Sequence, residues 1–405
     1  MERWPLSLTQ ESYSRRLRGL DERPVNVTLA LRLGDPSRES VERRLSRISE
    51  QAPLLRASLS PADAAPLTIH DRPRIRLLET TGVDPADLAE HLQHDTRHVF
   101  AEDELLWKPR LIRLTDGSAV LSLAFHHIVF DGVSRGLFLR ALGTESPAPA
   151  AHGGTPYVEF ARWQRANFTE DGPDVRFWRA HLAGLAHNQH VNLGFARNLD
   201  QPLDSASRHE SVRLTGVELW QILRWGRRRG VSLFTQVLAA LAAALGEATG
   251  EPENVVRATF HGRPPGHEGT IGCFGQDVTL RLPTKPVGLA ESLTSTTRAW
   301  NELGDHRFTP YGLVRRAVGG STLPFRPVVV TLNSFSTPSA VPAFGQEATV
   351  VEVPESLPEE GLHIQLSQAP NTLTLECSYH PVRFAAADVR AFLDRVTAIL
   401  REPHR

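Results

Sequence analysis

The sequence predicts an α+β fold. Segments that alternate every second residue are mixed with segments of helical period, and no strict βαβα rhythm runs through them as a doubly wound sheet requires. One stretch, "SLFTQVLAALAAALGEAT", is apolar almost all round, the mark of a helix buried between other layers. The 405 residues are enough for two or three domains, or for one large two-lobed one.

The elements follow in order. "PVNVTLALRL" places Val25, Val27, Leu29, Leu31 and Leu33 on one face, as in a half-buried strand. "GDPSRESVERRLSRISEQ" reads as a helix, with Pro36 in its first turn and Val41, Leu45 and Ile48 at helical spacing. "PRLIRLTDGSAVLSLAF" reads as a hairpin around a two-residue Asp116-Gly117 turn. Its second strand carries Leu121, Leu123 and Phe125 on one face and runs into His126 and His127, after which "VSRGLFLRAL" reads as a short helix. "GTESPAPAAHGGTP", from Gly143 to Pro156, has the composition of a linker. Helical "PYVEFARWQRAN" follows, and then the apolar helix, with Ser232 as N-cap and Gly250 past its end. "LTLECSY" alternates. "AAADVRAFLDRVTAIL" closes with Val389, Phe392, Leu393, Val396 and Leu400 on one stripe.

Composition narrows the class. The chain is 40% hydrophobic and 22% charged with net charge -1, which argues against a nucleic-acid binder. "MERWPLSLTQ" lacks the basic and apolar regions of a secretory signal, and no run of about eighteen apolar residues predicts a membrane span. Cys273 and Cys377 are too few for a disulfide framework or a cysteine zinc site. A cytoplasmic setting is expected.

The chemistry centres on "SLAFHHIVFDGVSRG", Ser122 to Gly136. Along an extended backbone, neighbours point to opposite faces. His127 then shares the face of Leu121, Leu123 and Phe125, and His126 that of Ser122 and Ala124. That opposition argues against a metal held by both rings and Asp131. A histidine suits proton transfer near neutral pH. Asp131, where strand gives way to helix, suits a carboxylate that braces the turn through backbone N–H groups. Gly132 supplies backbone freedom or room for a close approach. The alternative is that both histidines are satisfied core residues at a strand end.

Gly132-Val133-Ser134-Arg135-Gly136 also matches the G-x-S-x-G nucleophile elbow, so an α/β-hydrolase or thioesterase using Ser134 is a rival reading. Against it stand the missing βαβ rhythm, a glycine-rich "HGG" (His152 to Gly154) that follows the serine instead of preceding it, and no Asp and His placeable in triad order. Ser134 is then an ordinary first-turn helix residue, and Ser134→Ala is expected to be tolerated.

Taken together, "HHIVFDG" resembles the H-H-x-x-x-D-G signature of nonribosomal peptide synthetase condensation domains, members of the chloramphenicol-acetyltransferase-like superfamily. Further landmarks appear in the family's order. "PLSLTQESY" resembles the N-terminal motif, with Gln10 at its recurrent glutamine. "SEQAPLLRASL" lies at the R-H-E-x-L-R-T position, with Gln51 and Ala52 in place of His and Glu. "TPYVEFARWQ" and "FWRAHLAGL" resemble the Y-x-D-Y-A-x-W-Q segment and its sequel, and "VVRATFHGRPPGHEGTIGCFGQDVTLRL" the G-R … I-G-x-F-V-N-T-L-P-L-R segment. The likeness runs from about Leu6 to about Leu400.

The resemblance implies two chloramphenicol-acetyltransferase-like lobes in a V-shaped pseudo-dimer with a central tunnel, taken here as residues 1–165 and 166–405. It implies a free-standing condensation enzyme of specialised-metabolite biosynthesis, joining an acyl or aminoacyl thioester to an amine or alcohol. The expected partners are acyl or peptidyl carrier proteins and a small-molecule or carrier-bound acceptor, with the chain a monomer. No bound cofactor or metal is expected; a phosphopantetheine arm arrives with the carrier. His127 becomes the general base, or the group that holds the nucleophile and tetrahedral intermediate by hydrogen bonding, and His126 stands with it as a catalytic candidate. Asp131 becomes structural and paired with Arg263, which otherwise reads as an exposed loop arginine. Gly132 leaves space for the donor arm. Asn333 and Ser336, in "LNSFS", and Gln276 are tunnel candidates.

Some positions depart from the pattern. Gln276 and Asp277 replace Asn and Thr, and "GLHIQLS" lacks an aspartate common near that point. Epimerisation domains share the histidine signature but carry a glutamate base where this chain has Thr259, so epimerisation is not expected. The D-F-G-W-G motif of coenzyme-A-dependent relatives is absent. A non-catalytic docking platform is the remaining alternative, although such relatives have lost the histidines. "RWGRRRG", Arg224 to Gly230, reads as cationic side chains closing a helix before a glycine stop, or as a surface for an acidic carrier protein.

Overall fold

A computed structural model describes the chain outside residues 18–25, 61–66, 144–154, 186–195, 197–206, 285–287, 319–327, 334–338, 352, 354–360, 370 and 403–405, and outside the side chains of 14–17, 328–333 and 369. Val25 and most of the expected linker lie outside the described residues. The elements run β1 (Glu2–Trp4), α1 (Leu8–Leu17), β2 (Asn26–Leu33), α2 (Arg38–Gln51), β3 (Ala57–Leu59), β4 (Leu67–Ile69), β5 (Leu78–Val83), α3 (Leu88–Thr96), β6 (Trp107–Leu114), β7 (Ala119–His126), α4 (Gly132–Gly143) and α5 (Tyr157–Asn167). They continue with α6 (Pro173–His181), β8 (Arg208–Thr215), α7 (Gly216–Arg229), α8 (Leu233–Thr249), β9 (Glu253–Phe260), β10 (Gln276–Pro283), α9 (Leu289–Glu302) and α10 (Tyr311–Ala317). Last come β11 (Val328–Asn333), β12 (Ala340–Ala343), β13 (Gln346–Val351), β14 (His363–Ala369), β15 (Thr372–Tyr379) and α11 (Ala386–Arg401).

The chain divides into two compact units. The first holds residues 1–169, 261–275 and 337–355; the second holds 170–260, 276–336 and 356–405. The expected boundary after residue 165 lies near the first break. Two segments from the second half nevertheless belong to the first unit, and 337–355 does so because β13 pairs antiparallel with β2 (Val350 opposite Leu31).

The first unit is built on a sheet of order β12-β13-β2-β7-β6-β5, with β5 parallel to β6, beside a small sheet β1-β4-β3. The half-buried expectation for β2 gives way here, because both faces of the strand are covered. Leu29, Leu31 and Leu33 pack in one core with Val41 and Leu45 of α2, while Ala30 packs on the other side with Leu88 and Leu92 of α3. β7 is buried at every position for the same reason. The helix after β2 starts later than expected: Ser37 is the N-cap, accepting from the Ser40 N–H at 3.2 Å, and Pro36 stands just outside it. The hairpin turn is also longer than two residues. Leu114 N–H bonds the Ser118 carbonyl at 2.8 Å, so Thr115, Asp116 and Gly117 form the loop, with Gly117 at φ +82° supplying the left-handed position.

The second unit has a sheet of order β10-β9-β11-β14-β15-β8, with β11 parallel to both neighbours. α8 is the apolar helix; Ser232 caps its start by accepting from Thr235 N–H at 3.1 Å, and Gly250 ends it at φ +70°. Val389, Phe392, Leu393, Val396 and Leu400 of α11 are all buried, each contributing about 1.5–3 kcal/mol of hydrophobic stabilisation. α7 stops at Gly230 (φ +65°), and Arg224 and Arg229 lie over the rings of Trp220 and Trp225 at 4.8 and 4.2 Å. Among the described residues no single helix is long and apolar enough to cross a membrane.

Candidate active site

The site grows from the end of β7. The strand stops at His126, and His127–Val129 form a 3₁₀ turn. The turn is capped by an imidazole: His126 Nδ1 accepts from the Ile128 N–H at 3.1 Å. The strand therefore ends at His126 and His127 stands in the turn beyond it, where its neighbours Tyr13 and Cys273 pack with the same core as Leu121, Leu123 and Phe125. His126 is 3% exposed, with its ring edge-on to Phe100 at 5.9 Å. Burial, and then the neighbouring His127, pull the His126 pKa down to about 3, so the ring is neutral and serves the turn.

His127 is half-buried. Its ring lies parallel to Tyr13 of α1, 4.5 Å between centroids and 9° between planes, and its Nδ1 is 3.8 Å from Cys273 Sγ. Gln10 ties the start of α1 to the same turn. Its Nε2 donates to the Ile128 carbonyl at 2.6 Å, and its Oε1 accepts from the Ser7 N–H at 2.8 Å.

Asp131 is the hub of the support. Oδ1 accepts from Arg263 Nη2 (2.9 Å), the Ser134 N–H (2.8 Å) and Ser134 Oγ (2.8 Å); Oδ2 accepts from Arg263 Nη1 (2.8 Å) and the Phe274 N–H (3.0 Å). The carboxylate thus caps α4 and clamps a segment more than a hundred residues away. Burial alone would raise its pKa, but the Arg263 charge and the hydrogen bonds outweigh burial and hold it below the usual carboxylate value. The Arg263 and Asp131 side chains are 3% and 5% exposed, so Arg263 is no exposed loop residue, and the expected pairing is present. Its guanidinium also donates to the Thr270 carbonyl at 3.2 Å and lies 4.4 Å over the Phe274 ring.

Ser134 corrects two expectations. It is 0% exposed, and its Oγ lies 2.8 Å from Asp131 Oδ1 and 3.0 Å from the Gly272 carbonyl, while accepting from the Gly272 N–H (2.9 Å) and Arg263 Nη2 (3.2 Å). A nucleophile elbow holds its serine exposed beside a base. Here the partners are a carboxylate, a guanidinium and main chain, so the hydrolase reading falls. Ser134 does stand in the first turn of α4, but its hydroxyl ties that turn to Arg263 and Gly272, so Ser134→Ala is no longer expected to be tolerated. Gly272 must be glycine, since a Cβ there would meet Tyr157 Cδ2 at 2.3 Å. Tyr157 donates to the Cys273 carbonyl at 2.6 Å and bonds Ser7 Oγ at 2.9 Å.

The remaining candidates are scattered. Gly132 opens α4. Gln276 opens β10 in the second unit, buried and opposite Phe260. Asn333 ends β11 with its side chain outside the described set, and Ser336 lies outside the described residues. Thr259 donates to Asp277 Oδ1 across the β9–β10 pair at 2.5 Å, so the position read against epimerisation is a hydroxyl bound to a carboxylate. Sequence reasoning did not single out Tyr13, Tyr157 or Cys273. All three lie inside recognised motifs, the cysteine at the variable position of the I-G-x-F stretch.

The condensation domain family model matches residues 23–403. The chain belongs to the condensation-domain family. Cyclosporin synthetase of Tolypocladium inflatum is 28% identical over 323 residues, 75% of this chain and 2% of that protein. Phosphinothricin tripeptide synthetase of Streptomyces viridochromogenes is 30% identical over 316 residues, 70% of this chain and 28% of that protein. The chain therefore spans a small part of these relatives' length. The first condensation domain of the calcium-dependent antibiotic synthetase, solved with a substrate analogue, superimposes with TM-score 0.77 at 20% identity over 99% of this chain and 96% of that one. This likeness establishes the chloramphenicol-acetyltransferase-like α+β fold. In this condensation domain, the H-H-x-x-x-D-G stretch is the turn from β7 into α4, braced by the Asp131–Arg263 pair.

Proposed function

We propose that this condensation domain joins an acyl or aminoacyl thioester, carried on the phosphopantetheine arm of a carrier protein, to an amine or alcohol acceptor. The observation that carries this reading is the pinning of a half-buried histidine. His127 is stacked on Tyr13, and its turn is anchored by Gln10 on one side and by the five-bond Asp131 hub on the other. Such a ring can meet a reactant while its own position stays fixed. The names of the relatives, both peptide synthetases, support the same chemistry.

A thioester is already activated, so the main task is alignment, which supplies about 7–11 kcal/mol. The acceptor nitrogen or oxygen bonds to the acyl carbon, the carbon–sulfur bond breaks, and the proton leaving the nucleophile ends on the departing thiolate. His127 serves this step as base or as hydrogen-bonding group, a contribution of roughly a hundred- to ten-thousand-fold for a placed proton-transfer group. His126 holds the turn, and Asp131 and Arg263 hold the segment opposite it.

The test is mass spectrometry of reactions with loaded carrier proteins, scanning amine and alcohol acceptors. A joined product with release of the carrier thiol is expected. Release of the free acid alone, whatever the acceptor, would overturn the reading.

A further inference from the structure

Cys273 plays no part in the chemistry above, yet its sulfur is the neighbour of the histidine on which that chemistry depends. The thiol is 0% exposed and lies 3.8 Å from His127 Nδ1. Peptide units on both sides of it are held by hydrogen bonds. The Gly272 N–H bonds Ser134 Oγ at 2.9 Å, the Cys273 carbonyl accepts from Tyr157 at 2.6 Å, and the Phe274 N–H bonds Asp131 Oδ2 at 3.0 Å. The Asp131 hub therefore sets where the sulfur sits relative to the imidazole.

We infer that Cys273 is a positioning residue for His127, donating its S–H to Nδ1 and thereby keeping the ring proton on Nε2. The physical basis is the acceptor strength of a neutral imidazole nitrogen: the S–H is a weak donor and the sulfur a weak acceptor, so the contact is one weak hydrogen bond, directed from S–H to the nitrogen lone pair. Burial keeps water from competing for the sulfur. Tyr13 fixes the plane of the ring, and Cys273 fixes which nitrogen is protonated within that plane.

The consequence, which rests on the condensation reading above, decides between the two roles left to His127. With the proton on Nε2, the ring enters the reaction as a donor. It hydrogen-bonds the acyl oxygen as negative charge develops there, and the nucleophile's proton passes to the leaving thiolate without residing on His127. A ring with Nδ1 protonated would instead present a lone pair at Nε2 and act as base.

The experiment is nitrogen NMR of the full chain labelled at histidine, with the His127 signals identified as those lost in His127→Asn. The expected spectrum has Nδ1 unprotonated and Nε2 protonated. Cys273→Ala is expected to move both nitrogens toward the averaged shifts of a tautomer mixture and to lower kcat about two- to tenfold with KM unchanged, the effect of one weak hydrogen bond. Cys273→Ser, which restores a donor, should recover both. A protonated Nδ1 in the wild-type protein, which needs no variant to observe, would overturn the inference, as would an unchanged spectrum in Cys273→Ala. The shifts are read on the resting protein, so they test Cys273 even if no condensation product forms. Full turnover by His127→Ala would overturn the functional reading and leave the tautomer result standing.

Discussion

Replacing Asp131 by asparagine isolates the charge at the centre of the site's support. The side chain keeps its shape, but the amide turns an N–H₂ group toward donors. If its oxygen stays at the Oδ1 position, its nitrogen faces Arg263 Nη1 and the Phe274 N–H, both of which Oδ2 accepts from in the wild-type protein. Arg263 remains buried with its counter-charge gone. Breaking one side of a buried pair costs about 3–5 kcal/mol. At roughly 2–4 °C per kcal/mol for a unit of this size, the melting temperature should fall by roughly 6–20 °C. Calorimetry at neutral pH reads this directly, and Asp131→Asn combined with Arg263→Met should be less destabilised than the two single changes added. The pH dependence has a definite sign. The folded carboxyl titrates below its unfolded value, so its contribution is complete above the ordinary aspartate pKa of about 3.9 and is lost only as pH falls further. A melting change within about 2 °C, or strict additivity of the double variant, would refute the hub.

Other expectations follow from the same geometry. Ser134→Ala strands the Gly272 N–H and should cost about 1–3 kcal/mol in chemical denaturation, while a serine-directed phosphonate should leave the wild-type protein unlabelled. His126 titrates near 3 when folded against about 6.5 when unfolded, so the unfolded chain takes up the proton first and stability declines as pH falls below about 6.5. His126→Asn, whose oxygen can still accept from Ile128, should flatten that decline when denaturation midpoints at pH 7 and 5 are compared; an unchanged slope would argue against a buried neutral ring.

Much of the fold was legible because it is written in periodicity. α8 is apolar almost all round between the caps Ser232 and Gly250, α11 carries a single apolar stripe, and the β6–β7 hairpin announces itself by alternation around Asp116-Gly117. The coverage of both faces of β2 was not legible, since one cover, α3, and the partner strand β13 lie far along the chain. At the site, the 3₁₀ turn that holds His127 was not legible, because it rests on the capping bond from the Ile128 N–H to the His126 ring, which strand alternation does not announce. Asp131 was readable as a brace from its place between strand and helix, but Arg263 came only through resemblance. Ser134 was rightly read as a helix residue, but its hydroxyl's contacts were not legible because Arg263 and Gly272 are more than 120 residues away, and the place of Cys273 beside His127 was hidden for the same reason.

The most direct test is single-turnover condensation by His127→Ala, with loaded carrier protein and saturating acceptor, set beside the melting curve of the same sample. Product formation should drop at least about a hundredfold while the transition stays near that of the wild-type protein, because the Asp131 hub does not include this ring. Turnover within a few-fold of the wild-type rate would contradict the central role given to His127.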